Sequence, residues 1–285
     1  MEATLAERGV AAAMSVVREA GLSAEQAVIV QNSNKLAVRI LPCDLLARVA
    51  VAGQHVGHLE IAVVEGLAAR GAPVAALDAR VEQRVHERDG FAVTFWTYYE
   101  DLAPPGPSPA AYADALGRLH DGMRNLEVRA PHFTARVAEA LQLVLNRHAS
   151  PELADPDRDL LADTLSSADR AIAGRSGADQ LLHGEPHPGN VLTGRSGPVF
   201  IDFETCCRGP VEFDVAHVPN KVAVRYPGLD GALLGDCRRL VLAMVAAWRW
   251  DARDEFPNGR RHGEAIVAIL RKGPPWPTLG ALDTQ

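Results

Sequence analysis

The stretch Leu181–Val218, LLHGEPHPGNVLTGRSGPVFIDFETCCRGPVEFDVAHV, decides how the rest of the chain is read. Two apolar runs, Leu181–Leu182 and Pro198–Phe203, flank a segment that holds His183, Glu185, His187 and Asn190, and the second run closes on Ile201-Asp202-Phe203-Glu204. Polar and acidic side chains are thereby placed at the ends of buried strands. That inventory suits phosphoryl transfer from a nucleotide. The chemistry needs a carboxylate near the attacking hydroxyl, an amide oxygen and a second carboxylate as hard ligands for Mg²⁺, and rigid strands to hold all three.

The spacing carries the argument further. A kinase catalytic loop has the form His-x-Asp, then four residues, then Asn, with a metal-binding Asp on the next hairpin; here the order is His183-Gly184-Glu185, four residues, Asn190, and then Asp202. Together with Ile201-Asp202-Phe203-Glu204 and Gly209-Pro210-Val211-Glu212-Phe213-Asp214-Val215-Ala216, the stretch resembles the aminoglycoside phosphotransferase and choline kinase-like family, small-molecule relatives of the protein kinases. One departure stands out: Glu185 occupies the place where that family usually has Asp.

The resemblance implies roles. Glu185 would orient or deprotonate the acceptor hydroxyl, Asn190 and Asp202 would hold Mg²⁺, and Asp214 would brace the catalytic loop from the start of the following helix. The extra methylene of Glu185 matters where geometry is tight, since a displacement near 1 Å can cost about 100-fold. A general base contributes only about 10²–10⁴-fold to a loose transition state, so the expectation is a working enzyme. Because of the same residue, a nucleotide-binding pseudo-kinase with a regulatory or scaffolding role is the alternative.

Composition bounds the reading. The chain has 285 residues, 47% of them hydrophobic, and a formal net charge of -7. That is ample for a buried core, and the acidic balance argues against a nucleic-acid surface while permitting cationic small molecules. With no apolar run of about 18 residues and no signal-peptide pattern, no membrane partner is expected and a cytoplasmic location is. Cys43, Cys206, Cys207 and Cys237 lack C-x-x-C spacing and read as reduced packing residues. A zinc site from His183, His187, Cys206 and Cys207 matches no common ligand spacing, and a metal-dependent hydrolase using the two histidines would act without nucleotide. His183 is instead expected to brace the loop by bonding backbone.

Ahead of this stretch, Met1–Ala20 has helical periodicity and stops at Gly21, and Ala27–Gln31, Leu36–Leu41 and Leu45–Val51 read as antiparallel strands. The turn Asn32-Ser33-Asn34-Lys35 is either an ordinary hairpin tip or, by resemblance, the loop over the nucleotide phosphates, touching them through backbone amides and Ser33. Arg48, flanked by Ala47 and Val49, is either the solvent-facing half of an alternation or the replacement for the family's phosphate-binding lysine. The second role needs a carboxylate, which Glu60 on the helical stretch His58–Arg70 would supply, with Glu65 competing. Pro73–Leu77 and Phe91–Tyr98 read as the last strands, separated by a charged turn, Glu82–Gly90.

The proline-rich run after Tyr99 marks a boundary, with residues 1–98 as a nucleotide-binding lobe, 99–285 as a helical catalytic and substrate lobe, and a hinge at about 97–109. By resemblance, backbone groups around Trp96, Thr97 and Tyr98 hold adenine; Phe95 and Trp96 are equally core aromatics. Pro109–Met123, Phe133–Arg147, Pro156–Ala173 and Leu233–Trp250 read as helices. His120 reads as a packing or capping residue, and an N-cap role is expected of Asp214. Glu204, two residues past Asp202 on an alternating strand, should face the same side as an acid that supports the metal ligands or faces the substrate, and His187 should lie beside substrate or phosphates. Asp251, Asp254 and Glu255 near Trp248 and Trp250 are candidates to grip a cationic acceptor, or simply a solvated helix end.

The resulting expectation is an α+β, bilobal protein-kinase-like fold with a five-stranded antiparallel sheet in its N-terminal lobe and a mostly helical C-terminal lobe. It would use ATP (or GTP) and Mg²⁺ to phosphorylate a small-molecule hydroxyl. Acceptor candidates are aminoglycosides, basic peptide antibiotics, macrolides, choline or a sugar.

Overall fold

A computed structural model describes residues 1–32, 35–53, 56–100, 106–175, 177, 179–194 and 197–281. Ser33 and Asn34, expected over the phosphates, and 101–105 of the proline-rich run lie outside the described residues. The chain forms two compact units. One comprises Met1–Pro107, Asn125–Val128 and Val191–Glu204; the other comprises Ser108–Arg124, Arg129–Asn190 and Thr205–Gln285.

In the first unit, helix α1 (Ala3–Glu19) precedes strands β1 (Ala24–Asn32), β2 (Leu36–Pro42) and β3 (Leu45–Val51), helix α2 (Val56–Ala68), and strands β4 (His86–Arg88) and β5 (Phe91–Thr97). The sheet is antiparallel, in the order β1-β2-β3-β5-β4. Alternation sets its core: Leu36, Val38 and Ile40 of β2 and Leu45, Ala47 and Val49 of β3 are fully buried and cluster with Ala12, Ala13 and Val17 of α1. Small residues let α1 approach closely; a Cβ on Gly9 would lie 3.1 Å from a methyl of Val49.

The five strands expected are present, but one of them was placed wrongly. Pro73–Leu77 is not a strand and makes only isolated bridges, Val74 to Phe200 and Leu77 to Trp96. The fifth strand is β4, inside the stretch read as a charged turn, where His86, Glu87 and Arg88 pair with Val93, Ala92 and Phe91. Three polar residues at a sheet edge bury too little to leave an alternation in the sequence. The segment Val191–Glu204 joins this unit through a hairpin of Val191–Gly194 and Gly197–Phe200: the Phe200 N–H donates to Pro73 O (2.8 Å), and the Ala75 N–H donates to Phe200 O (2.9 Å).

The second unit is mostly helical, with α3 (Pro109–Arg124), α4 (Thr134–Leu145), α5 (Asp155–Ala173), the short α6 (Val211–Val215) and α7 (Asn220–Ala223), α8 (Gly231–Arg249) and α9 (Gly259–Lys272). Its core gathers Leu161, Leu165 and Ile172 of α5 with Leu240, Val241 and Met244 of α8. Gln180–Leu182 pairs antiparallel with Cys207–Gly209 and frames the motif loop. All four cysteines are free thiols, and no helix among the described residues is long and apolar enough to cross a membrane.

Candidate active site

The candidate residues fall in both units. In the first, the alternation that buries Ala47 and Val49 turns Arg48 to the opposite face of β3, where α2 supplies its partner. Arg48 Nη1 donates to Glu60 Oε1 (2.5 Å), while Nη2 donates to Asp202 Oδ1 (3.0 Å) and Glu204 Oε1 (2.6 Å). Glu65 is exposed, so Glu60 is the partner. Glu60 is 2% exposed, and its Oε1 also accepts the Phe203 N–H (3.1 Å). Lys35 Nζ donates to Glu204. Three carboxylates, with oxygens within 4.8 Å of one another, thus share two cations.

The crowding shows in their acidities. Burial pushes Glu60 up to about 7 against the pull of Arg48, with Glu204 and Asp202 adding to the rise. For Arg48 burial opposes the charge, but Glu60, Asp202 and Glu204 together outweigh it and hold the guanidinium protonated more firmly than usual.

Asp202 and Glu204 share this cluster, though not through strand alternation. The strand ends at Phe200, Asp202 sits at φ 65°, and Phe203–Thr205 is a single 3-10 turn. A left-handed residue followed by a tight turn swings both carboxylates onto Arg48; Asp tolerates that backbone better than most residues.

Around the expected adenine contact, Thr97 N–H donates to Ala76 O (2.9 Å) and Phe95 O accepts from Asp78 N–H (3.1 Å). With those groups turned to one side, the Trp96 N–H and C=O face β3, where Trp96 sits opposite Leu46. Trp96 is 4% exposed, its Nε1 donates to Thr94 (2.9 Å), and it is a core aromatic. Tyr98, past the strand, is half-buried under the Arg39 guanidinium, 4.0 Å from its ring centre.

In the second unit the loop His183–Asn190 is held from below by Asp214. That residue is fully buried inside α6, whose N-cap is Pro210, so the N-cap expectation is corrected. Asp214 Oδ2 accepts the His183 N–H (2.9 Å) and Oδ1 the Gly184 N–H (2.8 Å). His120, expected only to pack or cap, donates to the same carboxylate from Nε2 (2.9 Å), with Nδ1 2.7 Å from the Tyr226 hydroxyl. Burial opposes the Asp214 charge, yet the His120 hydrogen bond and nearby charges, with the Gly184 N–H, hold it below the usual carboxylate range. Gly184 lies at φ 93°, and a Cβ there would come 2.0 Å from Thr205 O, so only glycine fits.

Glu185 is bound by a residue that no motif announced. Arg136 of α4 donates from Nη2 to Glu185 Oε1 (2.6 Å) and lies over the Trp248 ring, 4.6 Å from its centre. Burial works against ionising Glu185, but Arg136 more than compensates and its pKa lies below the ordinary glutamate value. His217 is itself pushed down to about 4 by burial. Asn190 is buried; its Nδ2 donates to Glu185 O (3.0 Å), which directs Oδ1 elsewhere. His183 Nδ1 accepts the Glu185 N–H (3.4 Å), consistent with a bracing role, while His187 Nδ1 accepts the Gly189 N–H (3.0 Å).

Asp251, Asp254 and Glu255 are not gathered at this loop by any hydrogen bond or ion pair among the described residues. Asp251 is taken by Arg253 (2.9 Å), Asp254 pairs with Arg249 (3.1 Å), and Glu255 is exposed. Within the first unit, the carboxylates of Glu60, Asp202 and Glu204 are donors that fit a hard divalent cation. No His and Cys ligand set of zinc type forms among the described residues. Lys35 closes the Asn32-Ser33-Asn34-Lys35 turn, and a cation beside a phosphate-loop position is a readable signal for its role. Arg136 and His217 had none.

Residues 30–250 match the phosphotransferase enzyme family. Among solved structures, the chain is similar to the amicoumacin kinase hAmiN in complex with AMP-PNP, Ca²⁺ and Ami, at TM-score 0.71 and 12% identity over 97% of this chain and 98% of that one. It is also similar to a choline/ethanolamine kinase family protein from Mesorhizobium loti (TM-score 0.67, 16% identity, 98% and 99% covered). A third is the spectinomycin phosphotransferase APH(9)-Ia with ADP and spectinomycin (TM-score 0.66, 11% identity, 95% and 96% covered). At these identities the likeness is one of fold, which is kinase-like as expected. No curated protein sequence matches this chain.

Proposed function

Because this chain belongs to the phosphotransferase enzyme family, we propose that it transfers the γ-phosphoryl group of ATP (or GTP) to a hydroxyl of a small molecule. The observation that carries the reading is the catalytic loop. Asp214 pins its backbone at His183 and Gly184, Glu185 stands ionised, and Asn190 is turned so that its amide oxygen is directed away from the loop carbonyl it bonds.

In this reading Asn190 and Asp202 each give an oxygen to Mg²⁺, which when bound would neutralise phosphate charge. Arg48, anchored by Glu60, receives the phosphates; its planar fork, already bonded to three carboxylates, suits bidentate phosphate contact. Glu185 accepts a hydrogen bond from the acceptor hydroxyl and aligns it for in-line attack, taking the proton as the new O–P bond forms and the bond from the γ-phosphorus to the β,γ-bridging oxygen breaks, releasing ADP (or GDP). In this reading adenine contact falls to the Thr97 C=O and the Tyr98 backbone, since the Thr97 N–H donates to Ala76 O and the Trp96 groups face β3. The neighbours' nucleotides, AMP-PNP and ADP, are consistent with this donor.

The acceptor class stays broad: a hydroxylated antibiotic, choline or a sugar. A cation grip by Asp251 and Asp254 has no support, since an arginine already faces each. Steady-state nucleotide turnover with Mg²⁺ and a panel of kanamycin, choline and glucose tests the reading. Acceptor-dependent turnover that Asp202→Ala abolishes is the expected result. Nucleotide binding without turnover across a broad panel would favour the pseudo-kinase role.

A further inference from the structure

We propose that Arg136 is the positioning residue for Glu185, and that this pair is what allows a glutamate to serve where the family motif usually has an aspartate. The inference rests on the phosphotransferase reading and deepens it.

Glutamate carries one more rotatable bond than aspartate, so an untethered Glu185 carboxylate would sweep a volume wider than the about 1 Å that separates productive from poor alignment. Arg136 removes that freedom. Its Nη2 bond fixes Glu185 Oε1, the carboxylate is about three-quarters covered, and Oε2 carries no hydrogen bond from a described residue. One oxygen is therefore anchored and the other is left for a hydroxyl.

The anchor is itself rigid. Its guanidinium stacks on Trp248, a partly buried residue packed on the core of the unit, and α4 is tied down where Phe133 N–H donates to Arg208 O (2.9 Å). The other charged or polarisable groups around Glu185 are His187 on its own loop, His217 after α6, Arg249 at the end of α8 and Cys207. Among the described residues only Arg136 bonds the carboxylate. An arginine partner weakens a carboxylate as a base, but a loose phosphoryl-transfer transition state demands orientation more than basicity, so the exchange is tolerable.

The test is steady-state kinetics with MgATP and whichever of kanamycin, choline or glucose the wild-type protein turns over. Arg136→Met is expected to lower kcat by about 30- to 100-fold, while KM for ATP moves by less than about three-fold. Ethylguanidinium added to Arg136→Met should restore part of the loss, which a purely structural defect would not allow. In a Glu185→Ala background the same substitution should cost little more, because the two act as one unit. Should Arg136→Met prove unstable by thermal unfolding, Arg136→Lys keeps a charge and takes its place, with a smaller expected loss. The inference is overturned if kcat survives Arg136→Met within about three-fold, or if the loss is as large without Glu185 as with it. Absence of turnover by the wild-type protein would break the phosphotransferase reading itself, and this inference with it.

Discussion

Glu60 and Glu185 are both glutamates bonded to an arginine, yet their surroundings drive their acidities in opposite directions. Glu60 shares Arg48 with Asp202 and Glu204, and its burial pushes it up to about 7. Glu185 is the carboxylate Arg136 bonds, and that guanidinium holds it below the usual range against burial. The ratio of carboxylates to cations, more than burial alone, decides the outcome. A unit with acid to spare is prepared for a further cation. A unit whose acid is already matched is prepared to hold one geometry.

The sharpest probe of the matched region is Asp214. Asp214→Ala removes a fully buried acceptor and strands the His183 and Gly184 N–H groups and His120, so it should cost about 3–5 kcal/mol in urea unfolding. A loss under about 1 kcal/mol would mean that Asp214 does not anchor the loop.

The crowded region should yield more gently. Arg48→Met leaves Glu60 buried without its cation, but Glu60 can take up a proton, which limits the cost to about 2 kcal/mol. Because its pKa is raised, stability fully present below the usual glutamate value is lost as pH rises through about 7. Removing Arg48 moves that point higher still, so the penalty at pH 8 should exceed the penalty at pH 5. Equal penalties would erase the contrast between the two glutamates.

The smallest effect concerns His217. Buried and pushed down to about 4, it stays neutral in the folded protein while the unfolded chain takes a proton below its ordinary value of 6.5. Stability contributed above that value should fall by about 1–3 kcal/mol as pH drops from 6.5 through 4, and His217→Gln should flatten the slope.

Parts of this site were legible in order along the chain. Val38, Ala47 and Val49 are buried while Arg39 and Arg48 beside them are not, which set Arg48 on the second face, where an acid such as Glu60 from the next helix can meet it. Glu60 is the acid the sequence favours over Glu65, and burial bears that choice out. Asp202 and Glu204 were grouped correctly for a mistaken reason: the backbone turns left-handed at Asp202, which spacing cannot reveal. β4 was missed because three polar edge residues carry no hydrophobic period.

By itself, then, the sequence determined the motif loop, the second carboxylate beyond it, four of the five strands and the arginine set between apolar neighbours on β3. All of these depend on residue order over a few positions, and local sterics and alternation act on that scale. Only the tertiary structure decided that Arg136 binds Glu185 across 49 positions and that Lys35 reaches Glu204 across 169. It also took Val191–Glu204 into the first unit and set Asp214 beneath the loop rather than at a helix cap. Such pairings are chosen by which surfaces pack together once apolar faces are buried, a balance summed over the whole chain rather than written at either partner.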